Sequence, residues 1–393
     1  MTSAVDALVT TREHELVAFR RRLHAHPELS YAEYATTEAI ANRLQVAGLQ
    51  PHVLGIGTGL VCDVVGNAPG PVIALRADID ALAMPDGTTT EYRSKVNGVA
   101  HACGHDAHSA VVLGAGLALR ALIEVEEVPG TIRLLFEPGE ESVPGGAVSI
   151  IEEGWLEGVS AVLALHCDPK IDLGEIGLRP RALTAASDTA TIHLRGPGGH
   201  TARPQLTVNL ISVMADVVRR FPDEVIRRID SDDDVVVVFG AIHAGDAPNV
   251  IPAEGALRLS LRCADRDAWA RAEFAARAAL DAIVVGTGAV AELEYYRGTP
   301  PVVNDDGALE LLLRAAQETV GPAGIVETPR SMGADTFAWY GERVPSAYAR
   351  LGTHSGDGPR LDLHASSFDI DERAIGIGAR FLAEAALIGL RRG

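Results

Sequence analysis

The sequence predicts an α/β protein: a three-layer domain with a largely parallel sheet, interrupted by an inserted α+β domain of ferredoxin-like pattern. Three observations carry this. Strand-like and helix-like runs alternate up to about residue 181 and again beyond about residue 298. Between Arg181 and Arg297 the order becomes strand-helix-strand-strand-helix-strand, the split pattern of a small two-layer domain. Polar residues follow the strands of the first texture, where open α/β sheets build their sites. The expected division is 1–181 and 298–393 as two parts of one domain, around an insert at 182–297.

Taken in order, Ala4–Ala25 predicts one helix, running into His24-Ala25-His26-Pro27-Glu28. Glu33–Ala47 predicts a second, ended by Gly48. Strands are expected at Leu60–Val65 and Val72–Arg76, the latter leading into Ala77-Asp78-Ile79-Asp80. The Gly/Ala-rich apolar run Ala107–Ile123 reads as a buried helix with Asp106 as its cap. A strand at Thr131–Phe136 delivers Glu137-Pro138-Gly139-Glu140-Glu141, a helix lies near Ala147–Glu153, and a strand at Ala161–Leu165 delivers His166. In the insert, strands are expected at Thr189–Arg195, Val235–His243, Glu254–Arg262 and Val290–Tyr295, with helices at Leu206–Phe221 and Ala268–Val285. The acidic run Asp230–Asp234 reads as a solvated turn, and Glu372–Leu390 as a closing helix.

A chain of 393 residues can bury two full cores. Its 53 acidic against 34 basic residues leave a formal net charge of −19, a field that repels phosphate backbones and anionic lipid. Binding to nucleic acid or to a membrane surface is therefore not expected. No run approaches the ~18 apolar residues of a membrane helix. Met1–Arg22 lacks the pattern of a signal peptide. Four cysteines are too few for a disulfide framework, so a cytoplasmic location is expected.

The chemistry concentrates in Val99-Ala100-His101-Ala102-Cys103-Gly104-His105-Asp106-Ala107-His108. Thiolate and neutral imidazole are the usual ligands of a borderline divalent metal. Gly104 lets the backbone turn so that Cys103 and His105 face one point. The Glu140-Glu141 pair follows a strand in an apolar setting, where two carboxylates repel unless a cation lies between or beside them. One of them can then bind metal while the other takes a proton from water. His166 and His364 are further candidate ligands, although a histidine after a strand is as readily a hydrogen-bonded core residue. Asp78 and Asp80 either orient an imidazole or cap a turn. His101 and His108 are expected as hydrogen-bonded supports, while His24 and His26 shape the end of the first helix. Cys62, Cys167 and Cys263 read as small buried residues, with the Cys167 side chain directed away from that of His166. A thiolate at Cys103 bridging two metals would set them ~3.5–4 Å apart, as in two-metal hydrolases.

Eight motifs run nearly end to end in a familiar order. They begin with Leu23-His24-Ala25-His26-Pro27-Glu28-Leu29-Ser30, Leu75-Arg76-Ala77-Asp78-Ile79-Asp80-Ala81-Leu82, His101-Ala102-Cys103-Gly104-His105-Asp106-Ala107-His108 and Glu137-Pro138-Gly139-Glu140-Glu141. Gly198-Gly199-His200-Thr201-Ala202-Arg203-Pro204, Asn249-Val250-Ile251-Pro252, Ser331-Met332-Gly333 and Leu363-His364 with Phe368-Asp369-Ile370-Asp371-Glu372 complete them. The set resembles the N-acyl-amino-acid amidohydrolase branch of the dinuclear aminoacylase and carboxypeptidase clan, which includes hippurate and auxin-conjugate hydrolases.

The resemblance implies a metal-dependent amidohydrolase that cleaves N-acyl or N-aroyl amino acids. It implies two divalent ions, Zn, Mn, Co or Ni, held by Cys103, His105, Glu141, His166 and His364, with Cys103 bridging. Glu140 would be the acid/base and Asp80 the orienting aspartate. It also implies that the insert is a lid and makes a homodimer, with His200 and Asn249 reaching the substrate; Arg203, close to His200, is a candidate for its carboxylate. The lid is expected to swing about hinges near Arg181 and Gly298. Gln205, Leu363-His364-Ala365-Ser366 and Ala334-Asp335-Thr336-Phe337 depart from the usual pattern and bear on substrate choice. The competing readings are a dipeptidase or carboxypeptidase of the same clan, a cysteine hydrolase using Cys103 as nucleophile, and a non-catalytic metal-binding descendant. A thiol enzyme has no use for Glu140-Glu141, His166 and His364.

Overall fold

In the computed structural model, which describes residues 3–231 and 234–392, the chain folds as two compact units. The first comprises the chain up to Arg181, Val303–Pro329, and the chain from Thr336 onward. The second comprises Ala182–Val302 with Arg330–Asp335.

The first unit is a mixed eight-stranded sheet flanked by helices. Its strands are β1 (His52–Val53), β2 (Leu60–Val65), β3 (Ala68–Asp78), β4 (Pro129–Glu137), β5 (Val159–Asp172), β6 (Ile176–Leu178), β7 (Ile325–Glu327) and β8 (Ser346–His354), in the order β1-β2-β4-β3-β5-β8-β6-β7. The central β4-β3-β5-β8 strands are parallel, and β2 and β6 pair antiparallel at either side. The longer helices are α1 (Ala4–Thr10), α2 (Glu13–Ala25), α3 (Tyr34–Val46), α4 (His105–Leu122), α5 (Asp306–Thr319) and α6 (Arg373–Leu390), beside short ones at Ala147–Glu152 and Ala338–Gly341. Helices α4 and α6 are buried around nearly their whole circumference, which explains their runs of Ala, Gly, Val and Leu.

The second unit has a four-stranded antiparallel sheet in the order Val235–His243, Glu254–Cys263, Ser187–Arg195, Val290–Thr299, with helices at Leu210–Ile229 and Arg266–Val284. That is the expected ferredoxin-like arrangement.

Four expectations need correction. The helix foreseen over Ala4–Ala25 is two helices, because the chain turns at Thr11 and Arg12, whose side chains both donate to the Leu8 carbonyl. Asp106 is not a cap: Gly104 occupies that position at φ +90°, and Asp106 lies in the first turn of α4. The helix foreseen at Leu206–Phe221 starts at Leu210, capped by Asn209, and continues through Pro222 because Phe221, Val225 and Ile229 carry on its buried stripe. The inserted unit ends at Val302 rather than 297 and takes in Arg330–Asp335. Ser331 donates its backbone N–H to the Leu183 carbonyl, Ala185 donates to that of Gly333, and Arg262 donates to that of Met332. Of the foreseen acidic turn, Asp232 and Asp233 lie outside the described residues. Among the described residues no helix is long and apolar enough to cross a membrane.

Candidate metal centre

The site forms where β3 and β4 end, beside His166, which lies within β5. Gly104 makes the first turn possible. Its φ of +90° suits glycine, and a Cβ there would lie 3.1 Å from the Cys167 Cβ. Cys103 and His105 are thereby both buried and directed to one place, with Cys103 Sγ 3.4 Å from His166 Nε2.

His105 and His166 each have the other ring nitrogen fixed. His105 Nδ1 meets Asp80 Oδ1 at 3.1 Å, while Asp80 Oδ2 accepts from the Ser30 hydroxyl and the Glu141 amide. His166 Nδ1 donates to the Cys167 carbonyl at 2.7 Å, which turns Nε2 toward Cys103. These contacts select the tautomer that offers Nε2 as a ligand. His108 differs: Nδ1 meets Asp78 Oδ1 at 2.6 Å and Nε2 accepts the Cys167 amide at 2.8 Å, so both nitrogens are engaged. Asp80 thus orients His105, whereas Asp78 orients a support. His101 corrects expectation, since both of its buried ring nitrogens lack a hydrogen-bond partner; burial depresses its pKa to about 4.

The adjacent glutamates diverge. Glu141 Oε1 approaches His364 Nε2 at 3.2 Å, and these two group with Cys103. Glu140 Oε1 accepts the Thr336 amide at 3.1 Å, and its Oε2 lies 4.0 Å from His105 Nε2, so that Glu140 and Glu141 still form a group with His105. His364 is held at φ +60°, a conformation costly for a residue with a Cβ and a frequent mark of functional sites. Its amide donates to the Ala102 carbonyl at 2.8 Å.

Beneath the glutamates lies a network that pattern reading missed. Arg76, wholly buried on β3, donates to Asp78 at 2.5 Å and to Glu137 at 2.7 Å. Glu137 also accepts from Thr336, Tyr340 and the Ala147 amide. The available signal was a charged residue inside an apolar strand.

The donor set fits divalent metal. Cys103, His105 and His166 bring donor atoms within 4.8 Å of one another, as do Cys103, Glu141 and His364; Cys103 belongs to both groups. His105 Nε2 is buried without a hydrogen-bond partner and lies 3.8–4.0 Å from Asp78, Glu140 and Glu141 oxygens. Burial pushes the Cys103 thiol well above its usual range despite His105, and the two glutamates push it further. For Asp78, burial is outweighed by His105, Arg76 and His108, which keep it ionised. Divalent cations would balance a site so rich in carboxylate and thiol.

The other foreseen residues lie in the second unit. His200, Asn249 and Arg203 come together on the ribbon formed by Gly199–His200 and Val250–Ile251. Thr201 donates to the Asn249 carbonyl, Arg203 donates its amide to the His200 carbonyl, and His200 Nδ1 accepts from Ala202. All three are exposed.

Residues 74–388 match the model of peptidase family M20/M25/M40. The chain belongs to this family. Membership in M20/M25/M40 makes it a metal-dependent hydrolase of amide or peptide bonds. An N-acetyl-L-cysteine deacetylase of Bacillus subtilis (strain 168) is 35% identical over 378 residues, 96% of this chain and 89% of its own. A Rhodococcus jostii (strain RHA1) protein named as a glutamate–cysteine ligase 2-3 is 43% identical over 94% of this chain, yet this chain spans only 46% of its length. The crystal structure of Bacillus subtilis YXEP, described as a dinuclear metal binding peptidase from the M20 family, superposes with a TM-score of 0.86. It is 31% identical, covering 97% of this chain and 99% of that one.

Proposed function

We propose that this M20 hydrolase cleaves the amide bond of N-acyl or N-aroyl amino acids, using two divalent ions and Glu140 as general acid and base. The observation that carries the reading is a partial divergence of the glutamates: both group with His105, but only Glu141 also groups with Cys103 and His364, while Glu140 also accepts the Thr336 amide. Cys103, His105, Glu141, His166 and His364 would hold the ions, with Cys103 shared. When bound, the ions polarise the amide carbonyl and acidify water. Zn, Mn, Co and Ni all suit a thiolate–imidazole–carboxylate set.

Glu140 takes the proton of the attacking water and returns it to the leaving nitrogen, giving a carboxylic acid and a free amino acid. Asp80 keeps His105 in the tautomer that offers Nε2. His200 and Asn249 are assigned to the substrate carbonyl and carboxylate, and Arg203 to the carboxylate. The small acylated amino acid named in the deacetylase relative supports this substrate class over a peptide. The four cysteines are free, which suits a reducing compartment, and we place the chain in the cytoplasm. The inserted unit is assigned to dimerisation and to closure over substrate.

The test is hydrolysis of hippurate, N-acetyl-amino acids and a dipeptide, with metal content measured on the same samples. Glu140→Gln should lower kcat by roughly 10²–10⁴-fold with two ions still bound. Undiminished turnover would remove Glu140 from its role. Preference for the dipeptide would move the substrate class to peptides.

A further inference from the structure

On α2 the buried stripe is Leu16, Arg20, Leu23, His24, Ala25, so an arginine stands where the helix faces the core. Its guanidinium is wholly buried. Nε donates to Asp106 at 2.7 Å and Nη2 to Asp369 at 2.7 Å, while Nη1 lies 3.5 Å from Glu372 and the group stacks 5.1 Å from the Tyr92 ring. Asp106 directly follows His105, and Asp369 follows His364 by five residues. Helix α2 supplies none of the assigned metal ligands.

We propose that Arg20 is a positioning residue: one buried guanidinium straps the Cys103–His105 segment to the His364 segment and sets the separation of the two ligand groups. The proposal rests on the two-ion reading above. Three features make the strap more than core packing. His364 has a half-exposed side chain on a left-handed backbone that is costly for a residue with a Cβ, so it keeps its place only where neighbours over-determine it. The neighbours that hold its segment include the bond to the Ala102 carbonyl, the Gly87 amide on the Ser366 carbonyl at 2.7 Å, the Asp371 amide on the Thr353 carbonyl, and Asp369 on Arg20. Asp369 is further fixed by the Tyr92 hydroxyl at 2.8 Å. The planar fork holds both carboxylates at once, which a lysine ammonium on a flexible stem does not.

The test is equilibrium dialysis of chelator-stripped full-length protein against Mn²⁺, with urea unfolding alongside. Wild type should bind two ions. Asp369→Ala should weaken one of the two sites by roughly 10–100-fold and leave the other; Asp369→Asn, which keeps the shape, should do the same to a smaller degree. Arg20→Lys should weaken both. Arg21→Ala breaks the neighbouring exposed pair with Glu372 and should weaken neither site, whatever it costs in stability. Wild-type binding of both ions by folded Asp369→Ala, or equal loss at both sites, overturns the strap. A wild type that binds fewer than two ions overturns the underlying reading itself, and the strap with it.

Discussion

Glu33 caps no metal, yet it supports the loop that carries the two glutamates. Its Oε1 accepts the Gly139 amide at 2.7 Å, and burial lifts its carboxyl to about 6 from 4.5. A carboxyl whose folded pKa lies above its unfolded value binds extra protons in the folded state. Its contribution is therefore present at low pH and lost as pH rises from about 4.5 to about 6, by about 2 kcal/mol. With a chelator present to suppress metal linkage, wild type should lose stability to urea across that interval relative to Glu33→Gln. Parallel curves for the two proteins would refute this. Legibility at the residue scale was uneven. Cys103, His105 and the glutamate pair stood out because unlike ligand types cluster in short stretches. Asp78 and Asp80 could not be told apart, because both end one strand and only the fold decides which imidazole each one meets.

At the scale of elements, the site is held by charges placed where apolar residues were expected. Arg76 in β3 neutralises Asp78 and Glu137 together, and Arg20 in α2 neutralises Asp106 and Asp369. Arg76→Met would leave two buried carboxylates uncompensated and should cost about 3–5 kcal/mol in urea unfolding. A loss under 1 kcal/mol would show that Thr336, Tyr340 and the Ala147 amide suffice for Glu137. The strands and long helices were legible from hydrophobic period. The break at Thr11–Arg12 was not, because the apolar spacing continues across it. Neither was the start of α4: an aspartate before an apolar run is the usual cap signal, but here a left-handed Gly104 does that work and Asp106 is committed to Arg20 and His24.

At the scale of the molecule, the four-stranded sheet of the inserted unit has Val235–His243 at one edge, where among the described residues it pairs only with Glu254–Cys263 and exposes Val236, Val238 and Ile242. An apolar edge left open invites pairing with a second copy. Val238→Lys should therefore convert the proposed dimer to monomers in sedimentation while metal content stays unchanged. A wild-type monomer at micromolar concentration would refute the assignment.

By itself the sequence determined the two textures, the inserted ferredoxin-like order, the family resemblance and the candidate ligands, because each depends on local period or on residue types crowded into one motif. The tertiary structure alone decided that His108 is a support and His101 lacks hydrogen-bond partners, and that Arg330–Asp335 belongs with the insert. It alone brought Arg20 and Arg76 to carboxylates distant in the chain. Those facts depend on which side chains meet across the sheet and between helices, and burial makes each such meeting count: a charge removed from water must find its partner in the fold.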